Sequence, residues 1–168
     1  MLAVEEAVAK FRAAARMRDQ LDRQFVLIAR TDALGAPGGT LDDAIVRCKA
    51  YLGAGADVAF VEGPRTIDEI RRIVQEVGGP VLYNQAGSSP RLTTDQLREL
   101  GVAIVLFPGA MIRAGLYAMH DYASALRAQG GAADAQFAQV TQNHPMTNLH
   151  QFAGLNQVQQ FEQEFRAQ

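Results

Sequence analysis

Three stretches of the chain repeat one pattern, and that pattern leaves few folds open. Thr40-Leu-Asp-Asp43, Thr66-Ile-Asp-Glu69 and Thr93-Thr-Asp-Gln96 each read as a helix start. A threonine oxygen accepts a backbone N–H, and an acid or amide three residues on can reach back to the cap. The acids also suit the positive end of the helix dipole. Each helix then runs into glycine, at Gly53 and Gly55, at Gly78 and Gly79, and at Gly101. After each glycine comes an apolar, strand-like run: Val58 to Val61, Pro80 to Tyr83 and Val102 to Phe107. The unit recurs about every 26 residues, the size of a compact β-α step.

A fourth run precedes these three. Phe25 to Ala33 is apolar until it ends in Arg30, Thr31 and Asp32. Such a run reads as a strand buried on both faces, the usual state of a parallel strand. Four strands alternating with helices predict an α/β fold with a parallel sheet and right-handed crossovers.

The flanks differ from the repeat. Residues 3–18 read as an amphipathic helix with Val4, Ala7, Val8, Phe11 and Ala15 on one face. Residues 110–129 read as the helix after the fourth strand. Gly130-Gly-Ala-Ala-Asp134 reads as a linker, so the expected division is 1–129 and 130–168. A last helix is expected from about Asn156 to Arg166, with Leu155, Val158, Phe161 and Phe165 in its apolar stripe. That tail can pack on its own domain or on another subunit.

Composition removes several function classes. A formal net charge of −2 and the lack of a basic run argue against nucleic acid or an anionic membrane surface. No apolar stretch approaches the roughly 20 residues of a membrane span. The one cysteine cannot close an internal disulfide, which fits a reducing cytoplasm.

In a wound β/α fold the C-terminal strand ends share one rim, where ligands bind. Reading them off gives Arg30, Thr31 and Asp32, then Glu62 and Gly63, then Tyr83, Asn84 and Gln85, then Phe107, Pro108 and Gly109. One cation, one carboxylate and one amide converge there. Arg30 can clamp a carboxylate with two parallel N–H groups. Glu62 can hold a cation, water or hydroxyl, and Asn84 can hydrogen-bond a carboxylate or enolate oxygen. The bland alternative is a buried Arg30–Glu62 ion pair. Thr31 and Asp32 are read as residues that tie down their loop. Cys48 is in register with Leu41, Ala44, Ile45 and Leu52, so it reads as core. His144 and His150 have no third ligand nearby, and His120 reads as solvent-facing. Gly87-Ser88-Ser89 is a mobile loop or a weak phosphate cradle.

Ile28-Ala29-Arg30-Thr31-Asp32-Ala33, the Ala54-Gly55-Ala56-Asp57 helix end, Phe60-Val61-Glu62-Gly63 and Pro80-Val-Leu-Tyr-Asn84 together resemble the isocitrate lyase and phosphoenolpyruvate mutase superfamily. The likeness continues through Leu100-Gly101-Val102 to Phe107-Pro108 and covers roughly residues 5–128. It implies a (β/α)8 barrel of TIM type. It implies chemistry on a 2-hydroxy or 2-oxo carboxylate, with a C–C or C–P bond made or broken beside an enolate held on Mg2+. Arg30 then matches the substrate-binding arginine, and Glu62 and Asn84 match polar positions on the sixth and seventh strands.

The family's metal-binding acids lie on the second to fourth strands, and its Lys-x-Cys-Gly-His loop follows the fourth. Both would lie upstream of Met1. The chain therefore reads as the second half of the barrel, about four β/α units plus C-terminal helices, with no metal ligands of its own. The segments after Asn84 and after the last strand match neither the 2-methylisocitrate lyase nor the oxaloacetate decarboxylase pattern, so lyase, decarboxylase and phosphonate-type mutase stay open. The expectation is an Mg2+-dependent lyase fragment with a small carboxylate substrate, inactive or weak alone. The other reading is a non-catalytic half-barrel that self-associates through open strand edges into a homo-oligomer.

Overall fold

The computed structural model describes residues 1–166. The chain forms two compact units, Met1–Gly109 and Ala110 onward. The first unit alternates helix and strand: α1 (Val4–Leu21), β1 (Ile28–Thr31), α2 (Leu41–Gly53), β2 (Val58–Val61), α3 (Ile67–Val77), β3 (Val81–Asn84), α4 (Thr94–Glu99) and β4 (Ile104–Leu106). The strands make one sheet in the order β1-β2-β3-β4, every pair parallel.

Local chemistry explains the helix starts. Thr40, Thr66 and Thr93 each accept the backbone N–H three residues on, from Asp43, Glu69 and Gln96. Only the third closes a reciprocal box, because Gln96 Oε1 also accepts from Thr93 N at 2.9 Å. Asp43 is too short to reach back and pairs instead with Arg47 at 2.9 Å. Glu69 overshoots its cap and accepts from Arg65 N. At the far end of α3, Gly78 takes the left-handed conformation, φ 80°, that stops the helix without a Cβ penalty.

Strand parity gives the sheet two different faces. Ala29, Ala59, Val61, Val81 and Tyr83 face the helices and are buried with residues of α1 to α4. Cys48 lies in this layer, fully buried. The opposite face carries Val58, Phe60 and Leu82, packed with Ile104. In register, Arg30 sits beside Phe60 and Phe60 beside Leu82.

The first strand corrects the sequence reading. It was expected to be buried on both faces from Phe25; it spans Ile28–Thr31 only, and its pattern alternates. Phe25, Val26 and Ile28 are exposed. The physical reason is position: β1 has one neighbour, so only its helix-facing residues, Ala29 and Thr31, are covered.

The N-terminal end of the sheet is knotted by charge. Arg18 Nη1 donates to Asp57 at 2.7 Å and to Gly55 O at 3.0 Å, and Asp57 Oδ2 accepts from Leu27 N at 2.8 Å. One carboxylate thus ties the end of α1, the entry to β1 and the turn before β2. At that turn Gly55, φ 104°, brings the backbone so near α1 that an added Cβ would lie 2.6 Å from Ala15 Cβ.

The second unit is helical: α5 (Ala110–Gln129), α6 (Gly131–Thr141), α7 (Leu149–Phe152) and α8 (Leu155–Glu164). The expected linker at residues 130–134 is instead the start of α6. Gly130 alone, φ 59°, breaks the chain, and an alanine-rich run follows it. Helix α6 turns back on α5: Tyr122 Oη donates to Asp134 at 2.6 Å, and the Tyr122 and Phe137 rings lie 4.9 Å apart. That return contact groups α5 with α6 in the second compact unit. Among the described residues, no helix is long and apolar enough to cross a membrane.

Candidate functional site

The rim at the C-terminal ends of β1, β2 and β3 brings together the three residues expected there. Parity points Arg30 away from the helix layer, and the guanidinium lies 5.1 Å above the Phe60 ring. Its Nε and Nη2 form a fork onto Asp32, with Nη2 at 2.8 Å from Oδ1. The same Nη2 lies 3.4 Å from Glu62 Oε2. Glu62 in turn accepts from Asn84 Nδ2 at 3.3 Å. The hydrogen bond to Asp32 raises the already high pKa of Arg30 further, so its charge is fixed at any working pH.

The Arg30–Glu62 bridge of the bland reading forms, at 3.4 Å, but it is not buried: its side chains are 50% and 28% exposed. The side chains of Arg30 and Asp32 are about half exposed, 50% and 58%. Exposed pairs contribute only about 0–1 kcal/mol. A ligand carboxylate can therefore take the place of Asp32 on the arginine at small cost. Phe60 beneath holds the guanidinium plane in place while that exchange occurs.

Asn84 carries a second opening. Its Oδ1 is buried and has no hydrogen-bond partner among the described residues. Flipping the amide does not help, because the oxygen would then face the Glu62 carboxylate. A buried acceptor without a donor is costly, so this position suits a ligand hydroxyl or a water. On the side of its partner Glu62 runs a cleft of about 420 Å³ lined by Asp32, Glu62, Arg65 and Ser88 among others.

The loop after β3 is anchored at its base. Gln85 Oε1 accepts from Leu92 N at 3.0 Å, Tyr83 Oη donates to Pro90 O at 2.6 Å, and Arg91 donates to Gln85 O. Its Gly87-Ser88 tip is exposed. Thr31 does tie down its loop, accepting from Ala33 N at 3.2 Å. Asp32 does not: it was read as a loop residue and instead holds Arg30. The i, i+2 spacing of an acid and an arginine across a strand end was the signal for it. Phe60 was read only as strand filler; alternation along β1 and β2 would have placed it next to Arg30.

Metal fits poorly here. Among the described residues, no group of three or more His, Cys, Asp and Glu is placed to hold an ion. The two rim carboxylates, Asp32 and Glu62, already face a guanidinium, and a divalent cation between them would meet that positive charge. Cys48 is no nucleophile, since burial pushes its thiol up to about 12. His120 is exposed beside Asp121, and His144 Nδ1 accepts from Met146 N in its own turn.

A four-stranded parallel β/α sheet with an arginine and an acid–amide pair on its C-terminal rim defines a fold class: part of a TIM-type barrel. The comparisons narrow it. The phosphoenolpyruvate phosphomutase family matches residues 1–127, and the chain belongs to that family. It is 33% identical to 2,3-dimethylmalate lyase of Eubacterium barkeri over 96% of this chain and 54% of the relative. It is 36% identical to 2-methylisocitrate lyase of Salmonella typhimurium over 88% of this chain and 50% of the relative. The chain thus spans about half the length of these relatives. Among solved structures, phosphonopyruvate hydrolase in complex with oxalate and Mg2+ superposes with a TM-score of 0.83, at 29% identity, over 99% of this chain and 58% of that one. Crystalline 2,3-dimethylmalate lyase gives 0.80, at 26% identity, over 100% and 56%.

Proposed function

We propose that this chain supplies the substrate-carboxylate side of an Mg2+-dependent lyase site that cleaves a carbon–carbon bond in a small 2-hydroxy or 2-oxo carboxylate. The observation that carries the proposal is the convergence of Arg30, Glu62 and Asn84 on one strand-end rim, with the Arg30 fork loosely held. Arg30 takes the substrate carboxylate in two parallel hydrogen bonds and stabilises negative charge that develops beside it. Asn84 Oδ1 accepts the substrate hydroxyl, and Glu62 orients the amide through Nδ2. The relatives that share this half act, by their names, on methylisocitrate and dimethylmalate, which fits a branched hydroxy acid.

Among the described residues no group of carboxylates, imidazoles or thiols forms a magnesium site. Metal and proton transfer each supply large rate factors, and the chain alone is expected to be inactive. We place it in the reducing cytoplasm, where a single buried thiol stays free.

Two measurements test this. Purified chain should show no Mg2+-dependent cleavage of 2-methylisocitrate or decarboxylation of oxaloacetate; turnover that disappears in Arg30→Ala would overturn the inactive half-site. Calorimetric titration with oxalate should show binding that Arg30→Ala abolishes and Arg30→Lys weakens about tenfold, since lysine lacks the fork. Equal binding by the wild type and Arg30→Ala would remove the carboxylate reading.

A further inference from the structure

We propose that two copies of this chain pair edge to edge through Met1–Gly109, closing an eight-stranded parallel barrel. The strand β4 of each copy would lie against β1 of the other. This goes beyond the carboxylate reading and does not rest on it.

The sheet has two free edges, and they match each other. Leu27 O accepts from Val58 N of β2, and Thr31 O from Glu62 N just past the end of β2. Peptide groups alternate along a strand, so those of Ile28 and Arg30 point to the free side of β1. Leu106 O accepts from Gln85 N, so by the same alternation Ile104 and Leu106 point to β3 and the peptide groups of Val105 point to the free side of β4. Both edges run in the same direction, because all four strands are parallel. A two-fold axis along the barrel keeps every strand parallel and joins β4 to β1 twice. Two such edges on one chain are therefore complementary to a second copy.

The element count closes as well. The first unit holds four helix–strand pairs, α1-β1 through α4-β4, half of an eight-stranded barrel. Helix α1 already covers the outer side of β1, with Ala7 packed among Ala29, Tyr51 and Ala56. Each new seam would thus carry one helix on its outside. On the inner face the middle of the sheet is buried, while the two edges hold exposed aliphatics, Ile28 at 44% and Leu106 at 41%. Open parallel edges flanked by apolar side chains are strong templates for strand pairing.

The test uses the full chain. Light scattering after size exclusion should give twice the 18.2 kDa chain mass. Ile28→Lys with Leu106→Lys, which sets a charge on each inner edge, should give a monomer with an unchanged far-UV spectrum. Val140→Lys, on an exposed side chain of α6, should leave the dimer intact. Hydrogen exchange at the amides of Ile28, Arg30 and Val105 should be slow in the wild type and at least tenfold faster in the double variant. A monomeric wild type overturns the proposal. So does a species larger than two chains, a dimer that survives the edge lysines, a dimer lost on Val140→Lys, or fast exchange at the three wild-type amides. The oxalate titration is read independently of all of these, so failure of one reading is not failure of the other.

Discussion

The two units put similar apolar content to opposite use. In Met1–Gly109, Ile45, Ile70, Ile73, Leu82 and Leu97 are almost wholly buried. From Ala110 on, among the described residues, the buried apolar residue is an alanine, Ala133, while Phe137, Val140, Phe152, Val158 and Phe161 are exposed. Both regions show helical apolar periodicity. The difference is that each helix of the first unit has a sheet beneath it, and α5 to α8 have none of their own. Periodicity reports that a face is ready to be covered, not that its own unit covers it.

That contrast can be broken by measurement. The largest effect is expected from Ile73→Ala, which opens a cavity under α3 and should cost about 2–5 kcal/mol in urea unfolding. Val140→Ala should stay within about 0.5 kcal/mol. Equal losses at the two sites would mean that α6 is buried in solution.

Next comes Gly55→Ala. It demands a left-handed alanine and sets its Cβ 2.6 Å from Ala15 Cβ, so a loss of about 1–3 kcal/mol is expected. A neutral result would show that α1 can move off the turn.

A third effect is a pH dependence. The thiol of Cys48 stays protonated to about 12 in the folded chain, while an unfolded one ionises near 9. Between those values the unfolded state holds fewer protons, so stability is full below pH 9 and falls as pH rises toward 12. The slope is about 1.4 kcal/mol per pH unit from this group. Urea midpoints of the wild type and Cys48→Ala, compared at pH 8 and pH 10.5, should converge as pH rises. Parallel curves would remove the assignment.

The smallest contrast is between caps. Thr93→Ala breaks a reciprocal box and should cost about 1 kcal/mol. Asn148→Ala removes the cap of the four-residue α7 and should cost about 0.5 kcal/mol or less in the same unfolding experiment. A larger loss at Asn148 would show that the second unit is held together more tightly than its exposure suggests.

What was readable in the chain follows from how local each signal is. The caps at Thr40, Thr66 and Thr93 lie within one turn of what they bond, and all three form. Cys48 was placed in the core by its register alone. Arg30, Glu62 and Asn84 were placed on one rim because parallel strands share a direction, and the rim unites them. The extent of β1 was misjudged because a strand does not encode whether it has one neighbour or two. The start of α6 was missed because Gly130-Gly131 looks like a linker whichever conformation follows. The Arg30–Asp32 pairing lay hidden in plain spacing, since loop residues are easily assigned only to the loop.

The Arg18–Asp57 knot lies at the opposite end of the sheet from Arg30. The charge knot and the proposed carboxylate rim are thus housed at separate ends of the same strands. Substitutions on the rim need not weaken the scaffold, and the scaffold exerts no pressure to keep the rim intact. A lineage could rebuild that rim, or discard its charges altogether, while the melting curve of the protein recorded nothing.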